Sequence, residues 1–364
     1  MARVVLAMSG GVDSSVAAWL LREAGHEVVG LFMRHGGVEE ACEPGPERPA
    51  TEGRHRQGCC TAADAADARR VAAALDIPFY AVDFDDQFGR IVDYFVAEYT
   101  AARTPNPCIQ CNTWLKFGKL FEYADSVRAE FVATGHHARV AAAGRAGVPA
   151  LCRGSDAGKD QSYVLFGVDR DRLRRMLLPV GEYTKEGIRR LAERAGLRTA
   201  RKAESQEICF IPSGDHAAFV RARSSRTTPG EIVTTAGTVV GRHDGLARFT
   251  VGQRKGLGVA LGEPRYVVRL EAATGRVVLG SREELARSEL SAAETNWLVD
   301  QPARAFPCRV KIRYRSPAVA AVVEPLSGRR MRVRFSEPCY GVAPGQAAVC
   351  YEGDRVLGGG WIES

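Results

Sequence analysis

The run Ser9-Gly-Gly-Val-Asp-Ser-Ser15 follows directly on an apolar stretch, Val4-Val5-Leu6-Ala7-Met8. Two glycines let backbone N–H groups turn inward, and two serines add hydroxyl donors and start a helix. The positive end of that helix faces the loop. A strand, this loop and a helix together therefore form an anion cradle suited to a phosphate chain. The spacing is not Gly-x-x-x-x-Gly-Lys-Ser/Thr: no lysine follows, and an aspartate, Asp13, sits inside the loop. An acid beside phosphates calls for a magnesium ion between them, held directly or through water.

The second chemical signal is thiol. Thr104-Pro-Asn-Pro-Cys-Ile-Gln-Cys-Asn112 places Cys108 and Cys111 just before an expected helix, in a proline-stiffened loop. A thiol at a helix N-terminus ionises more readily and is a better nucleophile at neutral pH. Much later comes Glu204-Ser-Gln-Glu-Ile-Cys209-Phe-Ile-Pro212. Structural zinc would need four ligands and a second close pair, and the adjacent Cys59-Cys60 is a poor chelating spacing. Two chemistries remain open. In one, a thiol carries a persulfide and another resolves it as a disulfide. In the other, Cys108, Cys111 and Cys209 hold an iron–sulfur cluster with one iron open.

Composition bounds the rest. The 364 residues suggest two or three domains, and a 45% hydrophobic content is ample for a core. No segment approaches the ~20 apolar residues that cross a bilayer, and the N-terminus runs straight into a strand without a basic-then-apolar leader. A cytoplasmic protein is expected, with its ten cysteines as free thiols, ligands or catalytic groups. Net charge is +7, and only seven of the 50 basic residues are lysine. Between Arg304 and Phe335 stand nine basic residues and one acid, Glu324, a local field suited to a polyanion.

These groups need a scaffold. Arg3–Met8, Glu27–Met33, Ile77–Phe84 and Phe131–Thr134 read as strands. Ser14–Glu23, Ala62–Leu75 (capped by Thr61, with Asp64 in its first turn), Gln87–Ala102 and Thr113–Val127 read as helices. Buried strands between amphipathic helices imply an α/β fold with a doubly wound parallel sheet, which binds ligands at the carboxyl ends of its strands. Gly36–Gly58 interrupts the pattern and reads as a surface insertion or a lid. After about Arg201 short strands take over, at Glu231–Val233, Gly237–Val240, Tyr266–Leu270 and Arg276–Leu279. Arg309–Arg315 alternates, with Arg309, Lys311, Arg313 and Arg315 on one face and Val310, Ile312 and Tyr314 on the other, and Met331–Phe335 repeats the habit. A small β-barrel with one basic wall is expected. Domains are placed at 1–205, 206–280 (small, mixed or β) and 281–364 (barrel).

The loop resembles the PP-loop of the ATP pyrophosphatases, which cleave ATP between its α and β phosphates and leave AMP on an acceptor. The whole chain resembles the bacterial tRNA-specific 2-thiouridylases. The resemblance rests on Ala7–Ser15, Thr104-Pro-Asn-Pro, Cys111-Asn112, Ala133-Thr-Gly-His136, Lys159-Asp-Gln-Ser-Tyr163, Ile208-Cys-Phe-Ile211, Gly252-Gln-Arg-Lys-Gly-Leu-Gly258 and Pro344-Gly-Gln346. It implies a monomeric sulfurtransferase that uses ATP and magnesium. It would adenylate the wobble uridine of tRNA and take sulfur from an upstream sulfur-carrier protein or persulfide donor. ATP would be held by Ala7, Met8, Ser9, Gly10, Gly11, Val12, Asp13 and Ser14, with Met33 and Gly135. Cys111 would be the nucleophile and Cys209 the persulfide carrier. Asn106, Pro107 and Cys108 would lie against the target base. His136, Lys159, Asp160, Gln161, Arg313, Tyr314 and Gln346 would touch tRNA.

One position departs from the family pattern: typical members carry an aspartate, a proposed proton-transfer group, where this chain has Cys108. The resulting Cys-x-x-Cys with a distant cysteine resembles cluster-dependent tRNA thiolases and keeps a 4Fe–4S cluster as an alternative. The loop alone also permits a small-molecule synthetase, or a relic ATP fold that binds RNA without turnover; the cysteines and the basic barrel weigh against both.

Overall fold

The computed structural model describes residues 1–34, 61–143, 147–204, 208–211, 214–224 and 229–364. The Gly36–Gly58 insertion and the Cys59-Cys60 pair lie outside the described residues. The chain forms two compact units that are discontinuous in sequence. One comprises Met1–Arg90, Cys111–Ser162 and Asp171–Gly214, the other Ile91–Gln110, Tyr163–Arg170 and Asp215–Ser364.

The first unit begins with β1 (Arg3–Ala7), α1 (Val12–Glu23), β2 (Glu27–Arg34), α2 (Ala62–Ala74) and β3 (Phe79–Asp83). Helix α1 opens after Gly11, which is extended at φ −87° and ψ 166°, and stops at Ala24 before Gly25, whose φ of +78° suits the left-handed residue that follows a helix. It starts two residues before the expected Ser14, so both serines lie inside its first turn. Helix α2 has a full capping box: Asp64 N–H donates to Thr61 Oγ1 (3.1 Å) and Thr61 N–H donates back to Asp64 Oδ2 (3.2 Å).

Next along the chain come α3 (Asp85–Thr100), which passes into the second unit at Ile91, and α4 (Pro107–Gln110), which belongs to it; a π-helical stretch over Cys111–Lys119 and α5 (Leu120–Ser126) belong to the first. The helix expected at Thr113 therefore begins six residues earlier, at Pro107. Proline at the first helical position loses no hydrogen bond, and Asn106 Oδ1 accepts the Ile109 N–H at 3.3 Å as an N-cap. Cys108 and Cys111 accordingly sit on helical backbone and not in a loop ahead of it. Strands β4 (Phe131–Ala133), β5 (Ala138–Ala143), β6 (Val148–Arg153) and β7 (Met176–Leu177) and helix α6 (Lys185–Arg194) complete the first unit. Its sheet runs β3-β2-β1-β4-β7, parallel throughout. Val4, Val5 and Leu6 of central β1 are fully buried, with Val16, Ala17, Ala18 and Phe32 packed nearby. The predicted α/β sheet is therefore present.

The second unit adds α7 (His216–Arg223) and a four-stranded sheet of β8 (Gly230–Thr234), β9 (Val239–His243), β10 (Tyr266–Glu271) and β11 (Arg276–Gly280), in the order β10-β11-β8-β9. Ile232, Phe249, Leu257, Val267 and Val277 form its core. Then come β12 (Ala286–Trp297), β13 (Phe306–Lys311), β14 (Val319–Leu326), β15 (Arg330–Tyr340), β16 (Ala347–Glu352) and β17 (Arg355–Ile362). They run β12-β15-β14-β13-β16-β17, and β12 also pairs with β17, which closes a six-stranded antiparallel barrel. Closure removes the sheet edges.

The expected basic wall over Arg309–Arg315 does not form. Strand β13 ends at Lys311, so alternation does not extend to Arg315. Lys311 is buried against the rings of Tyr163 and Tyr314. Arg313 turns inward, and Tyr314, expected on the apolar face, is exposed. On β15 the alternation holds: Met331, Val333 and Phe335 point into the barrel and Arg330, Arg332 and Arg334 outward. Those arginines pair with Glu363, Glu324 and Glu289, which spends much of their charge. Met331→Ala should destabilise the protein by about 2–5 kcal/mol in urea unfolding. Arg332→Ala, on the outer face, should cost no more than about 1 kcal/mol. Equal costs would contradict this register.

Candidate functional site

The Ser9–Ser15 loop joins the carboxyl end of β1 to α1. Gly10 has φ +73°, and a Cβ there would lie 2.2 Å from the Asp64 carbonyl oxygen. Gly135, after β4, is as constrained: its Cβ would come within 2.7 Å of Ser14 N. Both glycines are demanded by close backbone approach. The loop is braced internally by Ser9 N–H to Ser14 Oγ (3.2 Å), Ser14 Oγ to Gly11 O (3.1 Å) and Ser15 Oγ to Gly11 O (2.8 Å). Helix α1 has no side-chain cap, whereas α2, α6 and α7 are capped by Thr61, Thr184 and Asp215. The first-turn N–H groups of α1 are thus left to an anion. Met33 is half-buried near the carboxyl end of β2, on the side of the sheet where the loop emerges.

Asp13 lies in the first turn of α1, and both its carboxylate oxygens are 2.7 Å from Lys185 Nζ. His137 Nε2 is 3.1 Å from Oδ1. Burial alone would push the Asp13 carboxyl up, but the His137 hydrogen bond and the Lys185 charge outweigh it and hold it below its usual value. Lys185 thus already neutralises the acid expected beside a magnesium ion. With both carboxylate oxygens on Lys185, Asp13 as found does not fit the role of a direct magnesium ligand.

Lys185 also lies 3.3 Å from Glu204, which pairs with Lys159 at 2.7 Å. Burial would raise the Glu204 carboxyl, but Lys159 and Lys185 bring it below the ordinary value. Lys202 Nζ donates to Gly10 O (3.1 Å), Asp64 (2.7 Å) and Asp67 (2.6 Å). Arg189 donates to the carbonyls of Ala200 (2.6 Å) and Lys202 (3.3 Å). The segment Ala200–Glu204, which leads toward Cys209, is thereby strapped to the loop. Downstream, Phe210 meets Phe88 edge-on at 5.6 Å, and Ile211 is buried.

The remaining predicted residues separate into two kinds. His136 is buried beside Thr134, its Nδ1 2.7 Å from Thr134 Oγ1. Asp160 is buried and accepts from Gly154 N, Ser162 N and Ser162 Oγ, so it builds a turn. Gln161 Oε1 accepts the His137 N–H at 2.8 Å. Lys159 is committed to Glu204. Cys111 and Cys209 are half-buried and belong to the first unit, whereas Cys108 is exposed and belongs to the second.

In the second unit Gln346 Nε2 donates to Thr104 O (3.1 Å) and Pro105 O (3.0 Å), and Thr104 N–H donates to Pro344 O (2.8 Å). Gln346 therefore positions the residues before Asn106 and Pro107. Arg313 donates to the carbonyls of Gly341 (2.7 Å) and Val251, a staple between barrel and central sheet, and burial lowers its affinity for the proton. Among the described residues, no group of three or more His, Cys, Asp or Glu side chains is placed to hold a metal ion. The cluster alternative on Cys108, Cys111 and Cys209 has no support in this arrangement.

Sequence reasoning missed Lys185, Lys202, His137 and Glu204. Lysine scarcity was a signal for the two lysines: with the predicted Lys159 they are three of the chain's seven, and all belong to this network.

Burial, and then the charges of Lys116 and His137, hold the His136 imidazole well below its usual 6.5. An unfolded histidine protonates first as pH falls, so stability should drop below about pH 6.5, by up to about 1.4 kcal/mol per pH unit. Burial gives His243 a shift of the same sign. Asp13, with a lowered value, contributes above the usual carboxylate range and loses its contribution only at lower pH. Urea unfolding at pH 7 and 5.5 should show a smaller difference for His136→Gln than for the parent; an equal difference would contradict this.

Family models match the chain in three consecutive parts. A tRNA methyl transferase HUP domain covers residues 2–213, a tRNA methyl transferase PRC-barrel domain 218–281, and an aminomethyltransferase beta-barrel domain 287–362. The chain is 53% identical to "tRNA-specific 2-thiouridylase MnmA" of Rhodopirellula baltica, over 100% of this chain and 96% of that relative. It is 47% identical to the protein of the same name from Geobacter metallireducens, over 100% and 97%. The Moorella thermoacetica protein of that name is 46% identical, over 99% of each. With the phosphate-type loop, the two thiols and the barrel in place, the chain belongs to the tRNA-specific 2-thiouridylase family.

Proposed function

We propose that this chain is a tRNA-uridine 2-sulfurtransferase that consumes ATP, transfers sulfur through a cysteine persulfide and releases 2-thiouridine, AMP and pyrophosphate. The carrying observation is the uncapped N-terminus of α1, braced by Gly10 and Gly135, with the loop's one acid already neutralised by Lys185. That end offers donors and a positive field to a phosphate chain. Methyl transfer, named in two of the family models' descriptions, would leave those donors without a partner; the relatives' shared name supports thiolation.

ATP supplies the activation: a C2 carbonyl oxygen leaves poorly, and as an AMP ester it leaves well. The loop amides from Gly10 to Ser14 would hold the phosphates, with Ala7, Met8, Met33 and Gly135 around the nucleotide. Cys209 carries the sulfur as a persulfide loaded by an upstream persulfide donor. Its terminal sulfur attacks C2, and AMP departs with the C–O electron pair. The Cys111 thiolate then attacks Cys209 Sγ, breaking the S–S bond, whose electron pair stays on the sulfur bound to C2. The products are the thiocarbonyl and a Cys111–Cys209 disulfide, which two electrons from an external thiol reductant reopen. Residues 1–205, together with Cys209, would carry the chemistry, and the rest of 206–280 with 281–364 would hold tRNA. Target base and nearby RNA would meet Asn106, Pro107, Cys108, His136 and Tyr314. Lys159, Asp160 and Gln161 in the first unit, and Arg313 and Gln346 in the second, would each position RNA-facing residues of their own unit through the bonds described above.

Protein incubated with unmodified tRNA, ATP, magnesium and a persulfide donor should form 2-thiouridine, detected by mass spectrometry of digested tRNA. Cys111→Ser and Cys209→Ser should each lose thiolation by at least about 100-fold while retaining tRNA-dependent pyrophosphate release. Iron-free protein should be fully active. Absence of thiolated base, or a requirement for iron, would overturn the reading.

A further inference from the structure

The turn Gly252-Gln-Arg-Lys-Gly-Leu-Gly258 takes no part in the chemistry above, yet it is built with care. Gly252, Gly256 and Gly258 have φ of +87°, +73° and +73°, the left-handed region that favours glycine. Nothing lies within 4 Å of a Cβ placed at Gly258, and at Gly256 only Gln253 Nε2 comes near, at 3.8 Å. These two glycines shape the backbone and leave its surface open. The turn is also held firmly. Gln253 N–H donates to Thr250 O (2.9 Å), Thr250 N–H to Gln253 Oε1 (3.0 Å), and Gln253 Nε2 to Lys255 O (3.0 Å). Gly252 N–H and Gln253 O bond to both backbone groups of Val267. Leu257 plugs into the core with Ile232 and Phe249.

This frame presents Arg254 and Lys255 to solvent, and neither has an acidic partner among the described residues. The contrast is with β15, where Arg330, Arg332 and Arg334 are paired with glutamates. Beside the turn lies an open groove of about 540 Å³ lined by Arg254, Leu257, Leu261, Pro264, Arg265 and the Glu263 that pairs with Arg265. We propose that this turn and groove are a phosphate-binding surface for the RNA backbone, with Arg254 and Lys255 as the residues that engage it. Two unpaired cations on a stiff turn lose little entropy on engaging a phosphodiester chain, and open left-handed backbone adds N–H donors. The proposal rests on tRNA being the substrate.

The test is tRNA affinity against salt, by fluorescence anisotropy, for the parent protein and R254Q/K255Q. Removing one cation that neutralises a phosphate lowers the slope of log Kd against log salt by about 1, so the double variant should show a slope lower by about 2. It should bind tRNA about tenfold more weakly at ~0.1 M salt. Single-turnover thiolation at saturating tRNA should stay within about twofold, because no reacting group is touched. R254K/K255R should keep the parent slope. An unchanged slope and Kd in R254Q/K255Q would overturn the proposal, as would a reduced slope in the charge-preserving variant. If the parent itself shows no salt-dependent tRNA binding, the functional reading fails first, and the two failures are distinguishable.

Discussion

The first unit depends on one partly buried carboxylate. Asp13 sits at the positive end of α1, where it would compete with any incoming phosphate for the same donors. Pairing with Lys185 and His137 removes that competition. A desolvated carboxylate without partners would be costly, so the lysine must reach it from α6 and the histidine from the turn after β4. The same pairing brings two separate chain segments to one loop. Lys185 passes the constraint on to Glu204, and Lys202 repeats it through Gly10, so the segment toward Cys209 starts from a base tied to the phosphate site.

Charge in the second unit is divided differently. The barrel carries many arginines but consumes them: Arg313 closes backbone carbonyls, and the outer β15 arginines meet glutamates. Surface pairs of this kind add little stability, but they lower the field that a polyanion would meet. The central turn at Arg254 and Lys255 keeps its charge. The barrel's contribution to the thiol region is mechanical, since Gln346 and Pro344 fix Thr104 and Pro105, which lead into the Asn106 cap and the helix bearing Cys108. Gly345 is part of this fit, because a Cβ there would lie 2.9 Å from the Thr104 carbonyl oxygen.

Much of the scaffold was legible because its signals are local. Val4–Leu6 between polar segments, the Thr61–Asp64 box and the Gly25 stop are each decided within a few residues, and alternation at Met331–Phe335 survived because β15 is long and half-buried. Arg309–Arg315 misled for the same local reason. Alternation says which way side chains would point if the strand continued, and nothing in the sequence marks its end at Lys311. Thr104-Pro-Asn-Pro read as loop because two prolines bracket a cap. Proline at a first helical position looks the same in sequence as proline in a turn.

The sequence by itself determined the parallel-sheet class, the phosphate-type loop, the thiols at 108, 111 and 209, and a barrel at the C-terminal end, because spacing and periodicity specify those. Only the tertiary structure decided what Asp13 does. Its partners come from positions 137 and 185, and no short-range pattern links an acid to a lysine so far along the chain. The same holds for Arg313: alternation reads it as displayed, while the fold closes around it because carbonyls at Val251 and Gly341 need a donor. Residue types set which bonds were possible. Desolvation on folding selected the ones that had to be made.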